Sequence, residues 1–175
     1  MKWLLIVVLA IAAIVLGVTI VGMALPQSHV AQRSAHLSAP PERVWSAISD
    51  VAAYPTWRSD VSSVEMLTSG GGKVAWREIS PKGSKLAFEA TTSDAPSHLV
   101  TFITDKGIPF GGSWDYRIMP EGTGSRITIT ENGEVYNPFF RFVSRFVLGH
   151  TATLDSYLKS LAARSGDKYP AAGKS

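Results

Sequence analysis

The chain contains no cysteine. That absence excludes disulfides, thiolate zinc sites, iron–sulfur clusters and a cysteine nucleophile, although it assigns no compartment. Charge is sparse as well, at 18% of 175 residues with a formal net charge of +3. With Lys2 set aside, 16 basic residues stand against 14 acidic ones, dispersed without long runs. A nucleic-acid partner calls for a basic stripe, and the sequence has none. Metal-ligand spacings such as H-x-x-x-H are missing, and no arrangement supplies a nucleophile, its base and an orienting acid. No metal and no cofactor is therefore expected. Internal repeats are lacking, and the length leaves room for one domain and an appendage. Hydrophobic residues make up 45%, so that domain is expected to have a packed core.

The appendage comes first. Trp3 to Leu25 contains no charged residue, and Thr19 is its one clearly polar side chain. A helix of that length spans about 35 Å, enough for a hydrocarbon layer of about 30 Å. A core helix of a soluble domain shows a polar face, and this segment has none. A cleaved signal peptide is the competing reading, because Gly22-Met23-Ala24 resembles a small-x-small cleavage site. The apolar run is, however, longer than the usual signal core of about 7–15 residues. The expectation is a single-pass anchor over residues 1–26, a domain over 27–165 and a disordered tail over 166–175. Lys2 and the terminal amine precede the span and Arg33 is the nearest strong base after it, which places the domain on the extracytoplasmic side.

Beyond Pro26, residues 29–37 read as a first strand. Pro40, Pro41 and Glu42 then suit a helix start, with Val44, Trp45 and Ile48 on one apolar face. Asp50 is placed to cap a second short helix that Pro55 interrupts. From residue 60 the period becomes two, predicting strands at 61–68, 73–80, 84–93, 98–105, 112–119 and 125–136. Ser69-Gly70-Gly71-Gly72-Lys73 lacks the spacing of a phosphate loop and reads as a hairpin turn. Residues 138–164 return to helical spacing. Phe139, Val143, Phe146, His150, Leu154, Tyr157 and Leu161 form one stripe, which predicts one long amphipathic helix that Gly149 can bend. Asp155 and Lys159 stand at ion-pair spacing off that stripe. An α+β fold with one antiparallel sheet curling round the last helix buries both apolar faces.

Ala39-Pro40-Pro41-Glu42-Arg43-Val44-Trp45, then Ile48, Asp50 and Tyr54-Pro55-x-Trp57, resemble the SRPBCC superfamily. These helix-grip proteins include START lipid-transfer domains, birch-pollen-type allergens and polyketide cyclase/dehydrase-like proteins. The Gly122-x-Gly124 hairpin and the closing helix extend the likeness over residues 29–164. The resemblance implies a curved seven-stranded antiparallel sheet gripping the C-terminal helix around an apolar cavity. It implies no particular reaction, because that superfamily shares a cavity rather than a chemistry.

Alternation then assigns faces. Trp114, Tyr116 and Ile118 share one side; so do Leu86, Phe88 and Ala90, Val100 and Phe102, and Ile127 and Ile129. Glu131 falls with Ile127 and Ile129, and Glu78 with Val74 and Trp76, so both carboxylates stand on apolar faces. Each either meets a ligand's polar group, acts as a general acid or base, or is satisfied by an arginine such as Arg77, Arg117 or Arg141. His150 falls on the inward stripe, either as a bonded core residue or in the site. The expected cavity lining is Trp76, Phe88, Phe102, Trp114, Tyr116, Ile129, Glu131, Phe146 and His150. Glu134 is expected to face solvent. Ile108 and Phe110, flanked by glycines, form either a lid or lipid-dipping turn or a turn tucked onto the sheet.

The leading expectation is a membrane-tethered module binding a lipid or other hydrophobic small molecule. Its alternative is a polyketide cyclase/dehydratase-like enzyme using Glu131, Glu78 or His150. A third possibility is an interaction protein whose pocket is vestigial.

Overall fold

The computed structural model describes residues 1–149 and 151–169. Helix α1 (Lys2–Ala24) is exposed along most of its length, and Gly22, near its end, is its one buried residue. It is long and apolar enough to cross a membrane. Gly22 is where the chain returns to it: a Cβ there would collide with the carbonyl of Pro138.

Next come β1 (Ser28–Leu37), α2 (Pro41–Ser49) and a 3-10 helix (Val51–Thr56). Pro41 and Glu42 occupy the first turn of α2, where a missing N–H costs nothing and a negative charge meets the helix dipole. Asp50 sits at the cap position of the 3-10 helix without a side-chain capping bond. Six strands follow: β2 (Ser63–Leu67), β3 (Ala75–Ile79), β4 (Lys85–Asp94), β5 (His98–Ile103), β6 (Phe110–Glu121) and β7 (Gly124–Val135). They join β1 in one antiparallel sheet in the order β1-β7-β6-β5-β4-β3-β2. This is the helix-grip arrangement the sequence implies. The sheet has two distinct ends. At the proximal end, next to α1, Ser28 faces Glu134 and Phe110 faces Val135. At the distal end Leu37 faces Ser125 and Glu121 faces Gly124.

One strand departs from its expected phase. Leu99 lies opposite Tyr116 and Thr101 opposite Trp114, so these two turn inward with their neighbours. Phe102 pairs with Ser113 instead and is 47% exposed. Apolar residues occupy both phases of β5, and the partner strand decides between them.

The single long helix predicted over 138–164 is not formed. Asn137 caps α3 (Pro138–Val143), its Oδ1 accepting from the backbone N–H of Phe139 at 2.9 Å. A π-helical turn (Ser144–Leu148) follows, and Gly149 then adopts φ 73°, ψ 157°. That conformation cannot continue a right-handed helix and is open essentially to glycine alone. Helix α4 (Ala152–Arg164) starts afresh and buries Leu154, Tyr157, Leu158 and Leu161 against the sheet. The break diverts α3 towards α1 and leaves Phe146 59% exposed. Asp155 turns to β1, where Arg33 Nε donates to it at 3.0 Å, rather than to Lys159. In the segment expected to be a tail, Asp167 Oδ2 accepts from Ser38 N at 2.9 Å and the Tyr169 hydroxyl donates to Asp155 at 2.9 Å.

The break yields a prediction. A Cβ on Gly149 would meet no neighbouring atom, so Gly149→Ala carries a purely backbone cost, expected at about 1–3 kcal/mol. Denaturant unfolding of the detergent-solubilised chain measures it, with Gly17→Ala on exposed α1 as the silent reference.

Candidate ligand-binding site

The 3-10 helix hands the chain to Trp57 and Arg58, which enter the space between α4 and the β3–β4 side of the sheet. Arg58 Nη1 donates to Glu78 Oε1 at 3.0 Å, and Nη2 lies 3.0 Å from Oε2. The same guanidinium donates to Asp60 Oδ2 at 2.6 Å. Glu78 also accepts from Trp76 Nε1 at 3.1 Å. The side chains of Arg58 and Glu78 are 11% and 12% exposed, so the pair is largely desolvated. Two-point pairing of this kind satisfies both groups while fixing their orientation. The cation also lies over the rings of Tyr54 and Tyr157, at 4.9 and 5.2 Å from their centroids.

From there the rings run on in contact. Trp57 meets Tyr54 and Tyr157 edge-on at 5.4 and 5.5 Å, and Tyr157 meets Trp114 edge-on at 5.5 Å. Edge-to-face pairs of this kind add to the burial of the rings themselves. Trp114 Nε1 then donates to Glu131 Oε2 at 2.9 Å, and Glu131 Oε1 lies 3.1 Å from His29 Nε2. Glu78 and Glu131 thus stand at the two ends of one continuous set of aromatic rings. Trp76 and Phe88 stack beside it at 5.6 Å.

Trp57 Nε1 is buried without a hydrogen-bond partner, and the buried Tyr157 hydroxyl has none beyond the Tyr54 hydroxyl. An orphan such as the Trp57 N–H costs about 1–3 kcal/mol relative to a paired group. Burial pushes the phenols of Tyr54, Tyr116 and Tyr157 well above their ordinary value, so all three are neutral donors at physiological pH. The Tyr54 hydroxyl donates to the Ile48 carbonyl at 2.7 Å, and its oxygen is left to receive the Tyr157 hydroxyl beside it.

The rings of Trp57, Trp114, Tyr116 and Tyr157 line the space between α4 and the sheet. The face is not sealed. Phe88, Ala90 and Trp114 pack on the core while keeping partial exposure. A cleft of about 20 Å³ opens at the proximal end, lined by Gln27, His29, Arg141, Ser144 and Arg145 among others.

The structure gathers Trp76, Phe88, Trp114, Tyr116, Ile129 and Glu131 on the inner face, together with Glu78. It does not gather Phe102, turned outward by its register, or Phe146, released by the helix break. His150 lies outside the described residues. The arginines expected beside the carboxylates are engaged elsewhere: Arg77 with Glu65, Arg117 with Asp115, and Arg141 with the carbonyls of Val135 and Tyr136. Arg58 and His29 take their places. Alternation misses Arg58 because it follows a 3-10 helix, where no period of two applies. Its adjacency to the Tyr54-Pro55-x-Trp57 motif was the available signal. Glu134 turns away from the inner face and accepts from the Tyr136 hydroxyl at 2.8 Å. Among the described residues no cluster of three or more histidines and carboxylates is placed to hold a metal.

A family model described as "Polyketide cyclase / dehydrase and lipid transport" matches residues 28–166. Similar solved structures include a Thermus thermophilus protein, at 23% identity and a TM-score of 0.65, covering 78% of this chain and 97% of that one. A START superfamily protein from Mycobacterium smegmatis is 19% identical with a TM-score of 0.62, covering 79% and 97%. Norcoclaurine synthase from Thalictrum flavum is 15% identical with a TM-score of 0.62, covering 78% and 92%. At these identities the likeness establishes the fold alone. No curated protein sequence matches the chain.

Two outcomes follow from the ring set. Glu78→Gln removes the more buried of the two counter-charges on the Arg58 guanidinium, leaving Asp60, and is expected to cost about 2–3 kcal/mol in denaturant unfolding. The tyrosines set an alkaline limit. Their folded pKa values lie above the unfolded value of 10.0, so the stability they contribute is complete below pH 10.0 and is lost as pH rises further. Tyrosinate absorbance from these three is therefore expected to appear together with unfolding, and Tyr157→Phe to soften the decline.

Proposed function

Because the chain belongs to the polyketide cyclase/dehydrase and lipid transport family, we propose that it holds a hydrophobic small molecule or lipid against the inner face of its sheet, tethered to a membrane by α1. The observation that carries this reading is the orphaned Trp57 Nε1, with the Tyr157 hydroxyl near it engaged by no group but the Tyr54 hydroxyl. Two neutral donors in an aromatic surround suit a guest that is mostly apolar and carries an acceptor such as a carbonyl or ester oxygen. The partly exposed surface of Phe88, Ala90 and Trp114 offers the apolar contact, and the break at Gly149 lets the segment before α4 move aside for entry. The packing of Pro138 onto Gly22 supports retention of α1, since cleavage beside Gly22 would remove a surface that α3 is fitted to.

The Glu131–His29 contact favours a second reading, in which the chain is a cyclase/dehydratase-like enzyme. A carboxylate bonded to an imidazole, both less than one-fifth exposed, is suited to passing a proton to or from a bound substrate. Glu78 is less suited, since Arg58 engages both of its oxygens.

Purifying the full chain in mild detergent and weighing it by native mass spectrometry tests the binding reading. A bound hydrophobic molecule is expected, and Tyr157→Phe is expected to weaken its retention up to about tenfold, the worth of one hydrogen bond. A chain that carries nothing and takes up no lipid or fatty acid on titration contradicts the reading. A guest consumed or altered by the wild type but untouched by Glu131→Gln would favour the enzyme.

A further inference from the structure

We propose that the proximal end of the sheet lies directly on an anionic lipid bilayer, with the π-helical turn and Phe110 seated in its interface beside α1. The inference deepens the membrane-anchor reading above and rests on it. Four large apolar side chains are exposed at this end: Phe110 at 44%, Phe140 at 47%, Phe146 at 59% and Val147 at 69%. Surfaces meant for water seldom gather so many in one place.

Their position ties them to α1. Helix α3 begins at Pro138, packed on Gly22 near the end of α1, and the π-helical turn carrying Phe146 and Val147 continues from it. Phe110 lies opposite Val135 in the sheet, and the Val135 N–H bonds to the carbonyl of Gln27, just beyond α1. Wherever α1 leaves the hydrocarbon, these side chains are within a few residues of the same level.

Charge points the same way. Lys106 and Arg145 are exposed at this end and form no ion pair among the described residues. Asp105 and Glu134 lie near them and keep their charge while accepting from the N–H of Ala87 and the hydroxyl of Tyr136, so Lys106, Arg141 and Arg145 outnumber these two acids by one. Arg141 is spent on backbone carbonyls, which fixes α3 against the end of β7. Aromatic side chains at headgroup depth with cations beside them describe an interfacial segment on anionic lipid.

The absence of cysteine makes the test direct. Single variants Phe110→Cys, Val147→Cys, Val8→Cys in α1 and Thr123→Cys in the distal β6–β7 turn are spin-labelled in the full chain. Each is reconstituted in phosphatidylcholine vesicles with and without phosphatidylglycerol. With phosphatidylglycerol, labels at 110 and 147 are expected to shift to the oxygen-accessible, nickel-excluded behaviour of the label at 8, while 123 stays aqueous. Lys106→Glu with Arg145→Glu is expected to return 110 and 147 towards water. Aqueous behaviour at 110 and 147 with 8 in lipid overturns the inference and spares the anchor; aqueous behaviour at 8 overturns the anchor itself. Labels shielded from both reagents and broadened by one another would mean that a second copy covers this end, which also overturns it. Equal insertion without phosphatidylglycerol overturns the anionic-lipid assignment.

Discussion

The guanidinium of Arg58, held between the faces of Tyr54 and Tyr157 and locked by Glu78, is the contact on which the interior depends. It joins three elements distant in sequence: the 3-10 helix, β3 and α4. A charge taken this far out of water is tolerated only while its partners stay in place, because an unpaired buried ion costs several kcal/mol. The ion pair therefore fixes where Tyr157 lies, and Tyr157 in turn places Trp57 on one side and Trp114 on the other. The unpartnered indole N–H of Trp57 is a consequence of that arrangement.

A second constraint shapes the opposite end. Gly149 divides what the spacing of apolar residues presents as one helix, so the part before it packs with α1 and the part after it closes the grip. This division explains how one amphipathic stripe serves two surroundings. Leu154, Tyr157 and Leu161 are buried in the protein, whereas Phe146 and its neighbour Val147 are bare. It also leaves Trp114 and Phe88 with partly uncovered rings on the inner face, close to the end that α1 enters.

Much of this was legible in the sequence. The strands from 28 to 135 and the inward faces of β6 and β7 follow from a period of two, and the apolar helix from an uncharged run long enough to span a membrane. Glu131 was placed correctly on an apolar face by that period of two. Phe102 was not, because β5 is apolar on both phases and only pairing with β6 selects one. The long helix failed because spacing records which residues are apolar and cannot record the sign of φ at a single glycine. Arg58 was invisible to periodicity because it follows a 3-10 helix, and its partners lie on a strand and a helix far along the chain. Alternation shows which side chains point inward but not how closely their rings meet.

If the unpartnered indole N–H of Trp57 inside the grip belongs to a guest, that N–H reports on the guest directly. Nitrogen-edited spectra of the full chain in nanodiscs, before and after a hydrophobic acceptor such as a fatty-acid methyl ester is supplied, resolve the five indoles separately. The account predicts a downfield shift and slowed solvent exchange for Trp57, with Trp3 and Trp45 unmoved and the response reduced in Tyr157→Phe. A Trp57 signal that stays constant while the added molecule accumulates elsewhere on the chain would contradict it.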